Sequence, residues 1–273
     1  MPITPLAALL TALTAFASPA TPGAAATQRP ALPSPAPCHA CWHPRPTTQP
    51  WQWQLQGRID LSVKAPVYDI DMDDPASVVD RIHTRGAKAI CYVDVGSWEP
   101  YRSDAGQFPK SVLGRHFQGF PNERWLDVRK LRVLKPIMAK RFDTCARKGF
   151  DAVEPDNEDG YQNRTGFPIT YGEQLRYDRW ISNAIRRRGM TAGLKNDLGQ
   201  VRAMLPYVGF EINEQCFQYN ECGRLRPFIT HGKPVFGAEY QLPLSRFCPE
   251  SKRLGFSTIR KRYSLRAWRR TCA

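Results

Sequence analysis

Carboxyl side chains recur at the carboxyl ends of the strand-like segments in this chain of 273 residues. They are Asp69 and Asp71, Asp94 and Glu99, Glu154 and Asp156, Glu211 and Glu214, and Glu239. Buried strands seldom carry an unpaired charge, so each of these acids needs water, an ion-pair partner or a chemical role. If each acid is considered by itself, an ion pair with a nearby Lys or Arg would explain about half of these acids. If all of them lie at one end of a sheet, a functional site is the better explanation.

The periodicity of the strands selects two of these acids. Side chains two residues apart lie on the same face of a strand, so Asp156 shares a face with Glu154. By the same rule Glu214 shares a face with Ile212. If both faces point inward, Asp156 and Glu214 converge above the sheet. Two carboxyl groups that flank a bond are what glycoside hydrolysis requires, because one donates a proton to the leaving oxygen while the other stays ionised as nucleophile or base.

Aromatic side chains near the same strand ends could stack on sugar rings, although each taken alone would more often pack in the core or at its rim. They are Tyr92, Trp98, Tyr101, Trp125, Tyr161 and Tyr240.

Metal chemistry and serine chemistry receive little support from the sequence. The run Asp69–Asp74 resembles a calcium loop but lacks the Gly and the Glu that such a loop needs at its sixth and twelfth positions. The Cys38-x-x-Cys41 pair has no second pair of the same spacing to complete a zinc site. No G-x-S-x-G elbow and no H-x-H or H-E-x-x-H zinc motif occurs. We therefore expect no metal ion and no cofactor.

The elements that must position these residues alternate between strand-like and helix-like segments. Eight short segments favour strands: 51–56, 67–71, 89–95, 150–156, 191–196, 209–215, 235–240 and 256–260. Helical patterns lie between several of them, at 76–85, 133–148, 173–188, 201–207 and 223–231. Four of these helices end at a glycine that the next strand follows at once: Gly86, Gly149, Gly189 and Gly232.

This rhythm predicts an α/β fold, a (β/α)8 TIM barrel whose chemistry lies at the carboxyl ends of its strands. An open doubly wound sheet is the alternative, but no GxGxxG or P-loop motif marks the first βα turn.

Composition restricts the class of protein further. The chain is 42% hydrophobic and 11% aromatic, which suffices for one sizeable core. No apolar run reaches the ~20 residues that span a bilayer. The formal charge is +14, but eight of the Lys and Arg residues lie in the segment 251–270, which we interpret as a solvated basic tail. No nucleic-acid-binding motif accompanies it. We expect a single catalytic domain that is monomeric and binds neither nucleic acid nor a membrane.

The amino-terminal segment is typical of an exported protein. An apolar run at 6–17 ends in a small-x-small triplet, which predicts a signal peptide over 1–17, and the alanines at 24–26 offer a second cleavage site. A Pro/Ala-rich linker is predicted over 18–50, and the folded domain, including the basic C-terminal tail, over 51–273. The basic residues that usually precede a signal-peptide core are missing, so a disordered Ala/Pro tail is the alternative. We predict a secreted, extracellular protein.

The cysteine content agrees with export. The eight cysteines form an even set, as expected in an oxidising compartment, but sequence alone does not determine which of them pair. If cysteines that are close in sequence pair with each other, the pairs are Cys38–Cys41, Cys216–Cys222 and Cys248–Cys272. Cys91 is then left to pair with Cys145.

Seven motifs in a fixed order carry a resemblance that covers residues 51–242. They are WQLQG at 53–57, VYDID at 67–71, CY at 91–92 with GSWE at 96–99, ERWLD at 123–127, GFDAVEPDN at 149–157, LKND at 194–197 and NEQC at 213–216. Together they resemble glycoside hydrolase family 114, the endo-α-1,4-polygalactosaminidase family of TIM barrels. The resemblance implies a secreted endo-acting hydrolase of α-1,4-linked galactosamine polymers that uses no cofactor. The basic tail after Leu242 does not fit the family pattern.

The resemblance also implies which residues form the site. The two essential acids of the family fall on Asp156 and Glu214, the pair that strand periodicity selects. By analogy with related α-cleaving barrels, Asp156 is expected to be the nucleophile and Glu214 the general acid/base of a retaining mechanism. The residues expected to bind the sugar are Asp69, Asp71, Tyr92, Glu99, Lys195, Asn196, Glu239 and Tyr240. Glu211 lies on the opposite strand face from Glu214, and we interpret it as structural.

A cluster of carboxylates suits a cationic amino-sugar polymer. Two other functions stay open from sequence alone: a hydrolase of the same mechanism that acts on another α-linked glycan, and a non-catalytic secreted barrel that binds glycans.

Overall fold

The computed structural model describes residues 34–272. The predicted signal peptide and residues 18–33 of the predicted linker lie outside this range, so both stay predictions. Residues 34–50 form neither helix nor strand, but polar contacts fix them to the folded domain. The backbone N–H of Ala36 donates to the Asn183 side chain at 2.6 Å, and Arg186 donates to the Ala36 carbonyl at 2.7 Å.

Twelve strands form within the described residues. They are β1 (Gln52–Gln54), β2 (Val67–Asp71), β3 (Lys88–Asp94), β4 (Ser97–Trp98), β5 (Leu113–Phe117), β6 (Phe120–Leu126), β7 (Ala152–Asp156), β8 (Thr191–Lys195), β9 (Phe210–Glu214), β10 (Val235–Glu239), β11 (Ser257–Arg260) and β12 (Arg270–Thr271). Nine of them form one curled sheet in the order β1-β2-β3-β7-β8-β9-β10-β11-β12. Its first eight strands are parallel neighbours, and they correspond to the eight predicted strands. The predicted α/β barrel class is thereby confirmed.

Side chains alternate between two apolar layers on this sheet, as the two-residue period requires. One face encloses the barrel interior, where Phe210 and Ile212 of β9 pack with Phe236 and Ala238 of β10. The other face packs against the helices through residues such as Val153 and Val235. Interior space is tight, because a Cβ on Gly193 would lie 2.5 Å from the Phe210 ring. Glycine at this position therefore lets the large ring fill the barrel.

Six α-helices surround the sheet in the described residues: α1 (Ala76–Thr84), α2 (Leu131–Arg147), α3 (Tyr171–Arg186), α4 (Val201–Met204), α5 (Arg226–Thr230) and α6 (Leu244–Leu254). The first five overlap the predicted helices, whereas α6 contains Pro249 and was not predicted. Each of the four predicted glycine stops has a positive φ, between 70° and 84°. Only glycine adopts this conformation without a Cβ clash, which is why the helices end there.

An antiparallel sheet interrupts the βα rhythm after β3 and was not predicted. Its strand order is β4-β6-β5. The β5–β6 hairpin turns at Gly119, whose φ of +90° favours glycine. The hairpin matters for function because several of its side chains line the cavity described below.

The basic tail is part of the barrel rather than a solvated extension. It contains β11, the eighth parallel strand, which pairs with β10, and its strand β12 pairs antiparallel with β11. On the other side, the Leu55 N–H donates to the Leu265 carbonyl at 3.0 Å and the Gln52 side chain donates to the Ala267 carbonyl at 2.9 Å. The tail therefore bonds to both ends of the sheet order and links the first strand to the last.

All four expected cysteine pairs are disulfides: Cys38–Cys41, Cys91–Cys145, Cys216–Cys222 and Cys248–Cys272. The second connects β3 to α2, and the fourth connects α6 to the end of the tail. None of the helices between residues 34 and 272 combines the length and apolar character needed to cross a membrane.

Candidate active site

A buried lysine occupies the centre of the site, at the carboxyl end of β8. The ammonium group of Lys195 lies 2.8 Å from Glu154, 3.0 Å from Asp156 and 3.3 Å from Glu214. It also lies 4.7 Å from the centre of the Trp53 ring. Burial alone would lower the pKa of Lys195, but the three carboxylates outweigh it and hold that pKa well above its ordinary value. Lys195 is therefore a fixed cation at the floor of the site.

Asp156, at the end of β7, accepts two hydrogen bonds. Lys195 donates to Oδ1 at 3.0 Å, and the Tyr92 hydroxyl on the neighbouring strand β3 donates to Oδ2 at 2.8 Å. Burial and then the charge of Asp156 raise the pKa of Tyr92 well above its usual range, so its hydroxyl keeps its proton and acts as a donor. Both contacts fix the orientation of the Asp156 carboxyl group.

Glu214, at the end of β9, is held in a similar way. Tyr240 donates its hydroxyl hydrogen to Glu214 Oε1, and Asn196 Oδ1 accepts the Glu214 backbone N–H at 2.9 Å. The Glu214 side chain is 27% exposed, compared with 17% for Asp156, so it has the better access to solvent. Lys195 Nζ lies 3.0 Å from one carboxyl and 3.3 Å from the other, so the nearest oxygens of Asp156 and Glu214 are no more than about 6.3 Å apart.

Asp69 lies beneath this arrangement instead of within it. It is fully buried and faces Glu154, which also accepts a hydrogen bond from the Trp53 indole at 3.2 Å. Burial, followed by the charge of Glu154, raises the pKa of Asp69 well above its usual value. Burial raises the pKa of Glu154 as well, so both acids of this deeper pair take up a proton more readily than usual.

Two of the predicted sugar-binding acids are paired with an arginine. The buried Arg102 donates to Asp71 at 2.6 Å and to Glu99 at 2.7 Å, and it also contacts Asp73 at 2.9 Å. Glu99 additionally accepts the hydroxyl hydrogen of Tyr101. Asp71 and Glu99 line the cavity, but their charge is largely compensated by this guanidinium.

The residue that directly follows each of three neighbouring strands of the sheet has a left-handed backbone conformation. Asn157, Asn196 and Gln215 come directly after β7, β8 and β9, with φ of 66°, 53° and 65°. A residue other than glycine adopts such a conformation at a cost in free energy, and Asn tolerates it best. Residues with this conformation cluster at functional sites. At the first of these corners a Cβ on Gly96 would lie 1.8 Å from the Asn157 carbonyl oxygen. Gly96 therefore permits the close approach of two chain segments beside Asp156.

The cavity above these residues has a volume of about 570 Å³ and is strongly acidic. Nine carboxyl side chains and three cationic side chains line it, in a chain whose formal charge is +14. The acids are Asp71, Asp94, Glu99, Glu123, Asp156, Asp159, Asp197, Glu214 and Glu221, and the cations are Arg102, Lys195 and Arg224. Some of these acids carry a proton more readily than usual, because burial raises the pKa of Glu123 and of Asp197 to about 7.

Eight of the ten predicted site residues line this cavity. They are Asp71, Tyr92, Glu99, Asp156, Lys195, Asn196, Glu214 and Tyr240. Asp69 and Glu239 do not belong to the cavity wall. Asp69 faces inward but lies too deep, whereas Glu239 shares the outward face of β10 with Val235 and accepts the Phe217 N–H at 2.9 Å. The period-two rule that selected Glu214 would also have placed Glu239 on the outward face.

Several residues in the cavity wall or directly beneath it were not predicted as part of the site. Glu154 carries the shortest contact to Lys195, and its place two residues before Asp156 was the available signal. Tyr263 stacks on Tyr240 with ring centres 4.2 Å apart, but it comes from the basic tail, where no sequence pattern indicated a site. Phe120 and Glu123 come from the hairpin that was not predicted. Within residues 34–272, no group of three or more His, Cys, Asp or Glu side chains is arranged to hold a metal ion.

Comparisons with known proteins agree with this geometry. The sequence model of glycoside-hydrolase family GH114 matches residues 32–273. Among solved structures, Aspergillus fumigatus Ega3 in complex with galactosamine is 34% identical, with a TM-score of 0.81 over 85% of this chain and 97% of that chain. The glycoside hydrolase domain of PelA from Pseudomonas aeruginosa is 13% identical, with a TM-score of 0.64 over 79% of this chain and 95% of that chain.

The α-galactosidase TtGalA from Thermus thermophilus is 14% identical, with a TM-score of 0.54 over 85% of this chain and 64% of that chain. At these identities PelA and TtGalA support the fold alone. No curated protein matches the sequence.

Proposed function

Because the chain belongs to glycoside-hydrolase family GH114, and is therefore a glycoside hydrolase, we propose that it cleaves α-1,4-linked galactosamine polymers internally, by a retaining mechanism. Asp156 is the nucleophile in this proposal, and Glu214 is the general acid/base. The related Ega3 structure contains galactosamine, which supports the choice of sugar.

The acidic cavity is the observation that carries the substrate class. Nine carboxyl groups against three cationic side chains produce a negative cleft in a basic protein. A neutral glycan gains little from such a cleft, whereas each ammonium group of a galactosamine polymer is attracted to it. The net positive charge of the chain acts at long range, but it is screened beyond ~8 Å at physiological salt, so the carboxylates in the cleft dominate at contact distance.

The positions of the two acids are compatible with retention. Retaining enzymes have carboxyl groups ~5–5.5 Å apart, and inverting enzymes ~6.5–9.5 Å, because the latter need room for a water molecule. The shared contact with Lys195 keeps the nearest oxygens of Asp156 and Glu214 within about 6.3 Å of each other, which admits the retaining separation; the choice of retention rests on the analogy with related α-cleaving barrels.

The reaction then proceeds in two displacements. Glu214 donates its proton to the leaving glycosidic oxygen while an Asp156 oxygen attacks the anomeric carbon, and the bond between the sugar units breaks. Glu214, now ionised, removes a proton from water, the water oxygen attacks the same carbon, and Asp156 leaves as a carboxylate. Lys195 and Tyr92 hold Asp156 in line throughout, and Tyr240 fixes Glu214.

Reducing-end release from a partly deacetylated α-1,4-galactosamine polymer tests this proposal. Asp156→Asn and Glu214→Gln should each lower kcat/KM by at least ~10³-fold. Glu250→Gln is the matched control, because Glu250 is exposed on α6 and pairs only locally with Arg253, so it should leave activity unchanged. An NMR time course should show the α-anomer as the first product, as retention requires.

Other results would redirect the proposal. Release from a different α-glycan, with none from this polymer, would contradict the substrate. Binding of the polymer without any release by the folded protein would indicate a glycan-binding barrel. Full activity in either variant would show that the wrong carboxyl groups had been chosen, and a β-anomer as first product would contradict retention.

We also propose that the protein is secreted. Four disulfides within the described residues support an oxidising compartment. Amino-terminal sequencing of protein recovered from the culture medium tests this, since cleavage after Ala17 is expected from the small-x-small triplet.

A further inference from the structure

A second cleft adjoins the acidic cavity. It has a volume of about 490 Å³ and is lined by Pro100, Tyr101, Gly119, Phe120, Pro121, Asn122 and Glu123. Tyr101, Phe120 and Glu123 line the main cavity as well, so the two spaces share a wall. A chain that occupies the main cavity can therefore extend into this second cleft, which we call the hairpin cleft.

The aromatic rings of the hairpin cleft are exposed but supported from behind. Phe120 is 56% exposed and Tyr101 is 66% exposed, which is unusual for large hydrophobic side chains. Phe120 rests on Phe117 at 5.9 Å between ring centres, and Phe117 rests on Trp125 at 4.6 Å.

Tyr101 is held by its hydrogen bond to Glu99 and by the Arg102 guanidinium, which lies 5.3 Å from its ring centre. Rings that are fixed and exposed in this way lose little conformational entropy when a flat ligand stacks on them.

The acidic group of the cleft, Glu123, has no cationic partner among the described residues. Glu123 accepts a hydrogen bond from the Ser97 hydroxyl at 3.3 Å, a contact that supplies no positive charge. Glu99 nearby has Arg102 as its partner, and among the described residues no ion pair is formed by Glu123. Burial, followed by the charge of Glu99, raises the pKa of Glu123 to about 7, in agreement with a carboxyl group that lacks a cationic partner.

We propose that the hairpin cleft binds a second cationic amino-sugar unit of the substrate chain, with Tyr101 and Phe120 against the ring and Glu123 against the ammonium group. The inference rests on the proposed function and adds a subsite beyond the cleaved bond. The site combines two interactions that an amino sugar satisfies together: apolar C–H faces pack on aromatic rings, and an ammonium group pairs with a carboxylate and is attracted to aromatic faces. An N-acetylated unit would keep the stacking and lose the ion pair.

Kinetics on α-1,4-galactosamine oligomers of increasing length test the inference. For long oligomers, Glu123→Gln and Phe120→Ala should each raise KM by about tenfold with kcat within about twofold, because a subsite remote from the bond contributes uniform binding. For the shortest oligomer that is cleaved, both variants should match the wild type. In calorimetric titrations of long oligomers that are fully N-acetylated, the affinity should be insensitive to Glu123→Gln but remain sensitive to Phe120→Ala.

Matched controls separate binding from folding. Tyr171→Ala removes an aromatic side chain that is exposed on α3 and absent from both cavity walls, and Glu250→Gln removes an exposed carboxylate on α6. Both controls should leave KM unchanged at every oligomer length. Thermal melts should show that Phe120→Ala and Glu123→Gln unfold within a few degrees of the wild type.

The outcomes distinguish this inference from the proposed function. A wild type that cleaves long oligomers, with both variants unchanged in KM, would overturn the hairpin cleft alone. An equal rise in KM for short and long oligomers would also overturn it, since that result indicates a general distortion. If the wild type cleaves no oligomer, the proposed function fails, and calorimetric titration of a long oligomer still decides the inference: equal affinity for wild type and Glu123→Gln would refute it.

Discussion

Replacement of Lys195 by Met should destabilise the protein in a pH-dependent way. The substitution keeps most of the apolar stem of the side chain and removes the ammonium group, which lies 4.7 Å from the centre of the Trp53 ring. That group contacts Glu154, Asp156 and Glu214 at 2.8, 3.0 and 3.3 Å and is almost fully buried. Without it, three carboxyl groups face each other with no cation between them.

The magnitude follows from the cost of an unpaired buried charge. Removal of one partner from a buried ion pair typically costs ~3–5 kcal/mol, and we expect a loss in this range at pH 8. At lower pH the loss should shrink. Burial already raises the pKa of Glu154 above its usual value, and loss of the lysine raises it further.

The sign follows from linkage. A carboxyl group whose pKa is higher in the folded than in the unfolded protein stabilises fully below the unfolded value of ~4.3 and loses that contribution as the pH rises. The difference in the free energy of unfolding between the wild type and Lys195→Met should therefore grow as the pH rises from 5 to 8.

Urea unfolding at pH 5, 6, 7 and 8 measures this difference in the free energy of unfolding. Lys140→Met is the matched control, because Lys140 is at the surface and bonds to the Gln107 amide, and it should change stability by no more than about 0.5 kcal/mol at every pH. A loss in Lys195→Met that is the same at pH 5 and pH 8 would refute the reasoning, since it would show that packing, not charge, is what the lysine provides. A loss below about 1 kcal/mol at pH 8 would show that water compensates the three carboxylates.

Three further predictions concern residues around the site. Burial raises the pKa of Glu239 to about 7, so Glu239→Gln should lose less stability than the wild type as the pH rises from 5 to 8. If the free energy of unfolding, measured by urea titration, changes equally with pH in both proteins, the prediction is wrong. Gly96→Ala should lower the Tm strongly and cost more than about 2 kcal/mol, because its Cβ would lie 1.8 Å from the Asn157 carbonyl oxygen; an unchanged melting curve would disprove the close contact. Replacement of Cys91 and Cys145 by Ser should cost about 4 kcal/mol in denaturant titrations, because their disulfide closes a 54-residue separation; the difference from the wild type should disappear when both proteins are titrated with all their disulfides reduced, and a difference that persists would contradict this.

The local sequence determined the elements and the faces of the strands. Glycines that end helices, and short β-rich segments that follow them, are local signals, and the structure confirms the eight strands that they predicted. The same period of two placed Asp156 on one face with Glu154, and Glu214 on one face with Ile212, because parity along a strand determines which side chains share a face; that these faces point inward is seen only in the structure. The four disulfides also follow the shortest-range pairing.

Only the tertiary structure decided what these side chains contact. Lys195 meets Glu154 and Asp156 because β7 and β8 are neighbours in the sheet, and it meets Glu214 because β9 follows β8. Arg102 compensates Asp71 from 31 positions away, a pairing that no local pattern encodes. Electrostatic partners depend on distances in space, and these are fixed by the sheet order and the loops between strands.

The basic tail is the clearest case of this difference. Its charge pattern indicated a solvated surface, because a run of Lys and Arg without acids gives no sign of packing. In the structure it supplies β11 and bonds to β1, and Tyr263 from the tail stacks on Tyr240 at the wall of the cavity. The sequence alone predicted the barrel and its two acids. The shape of the site depends on how the two ends of the folded chain meet, and the sequence did not reveal this, because hydrogen bonds between distant segments leave no local pattern.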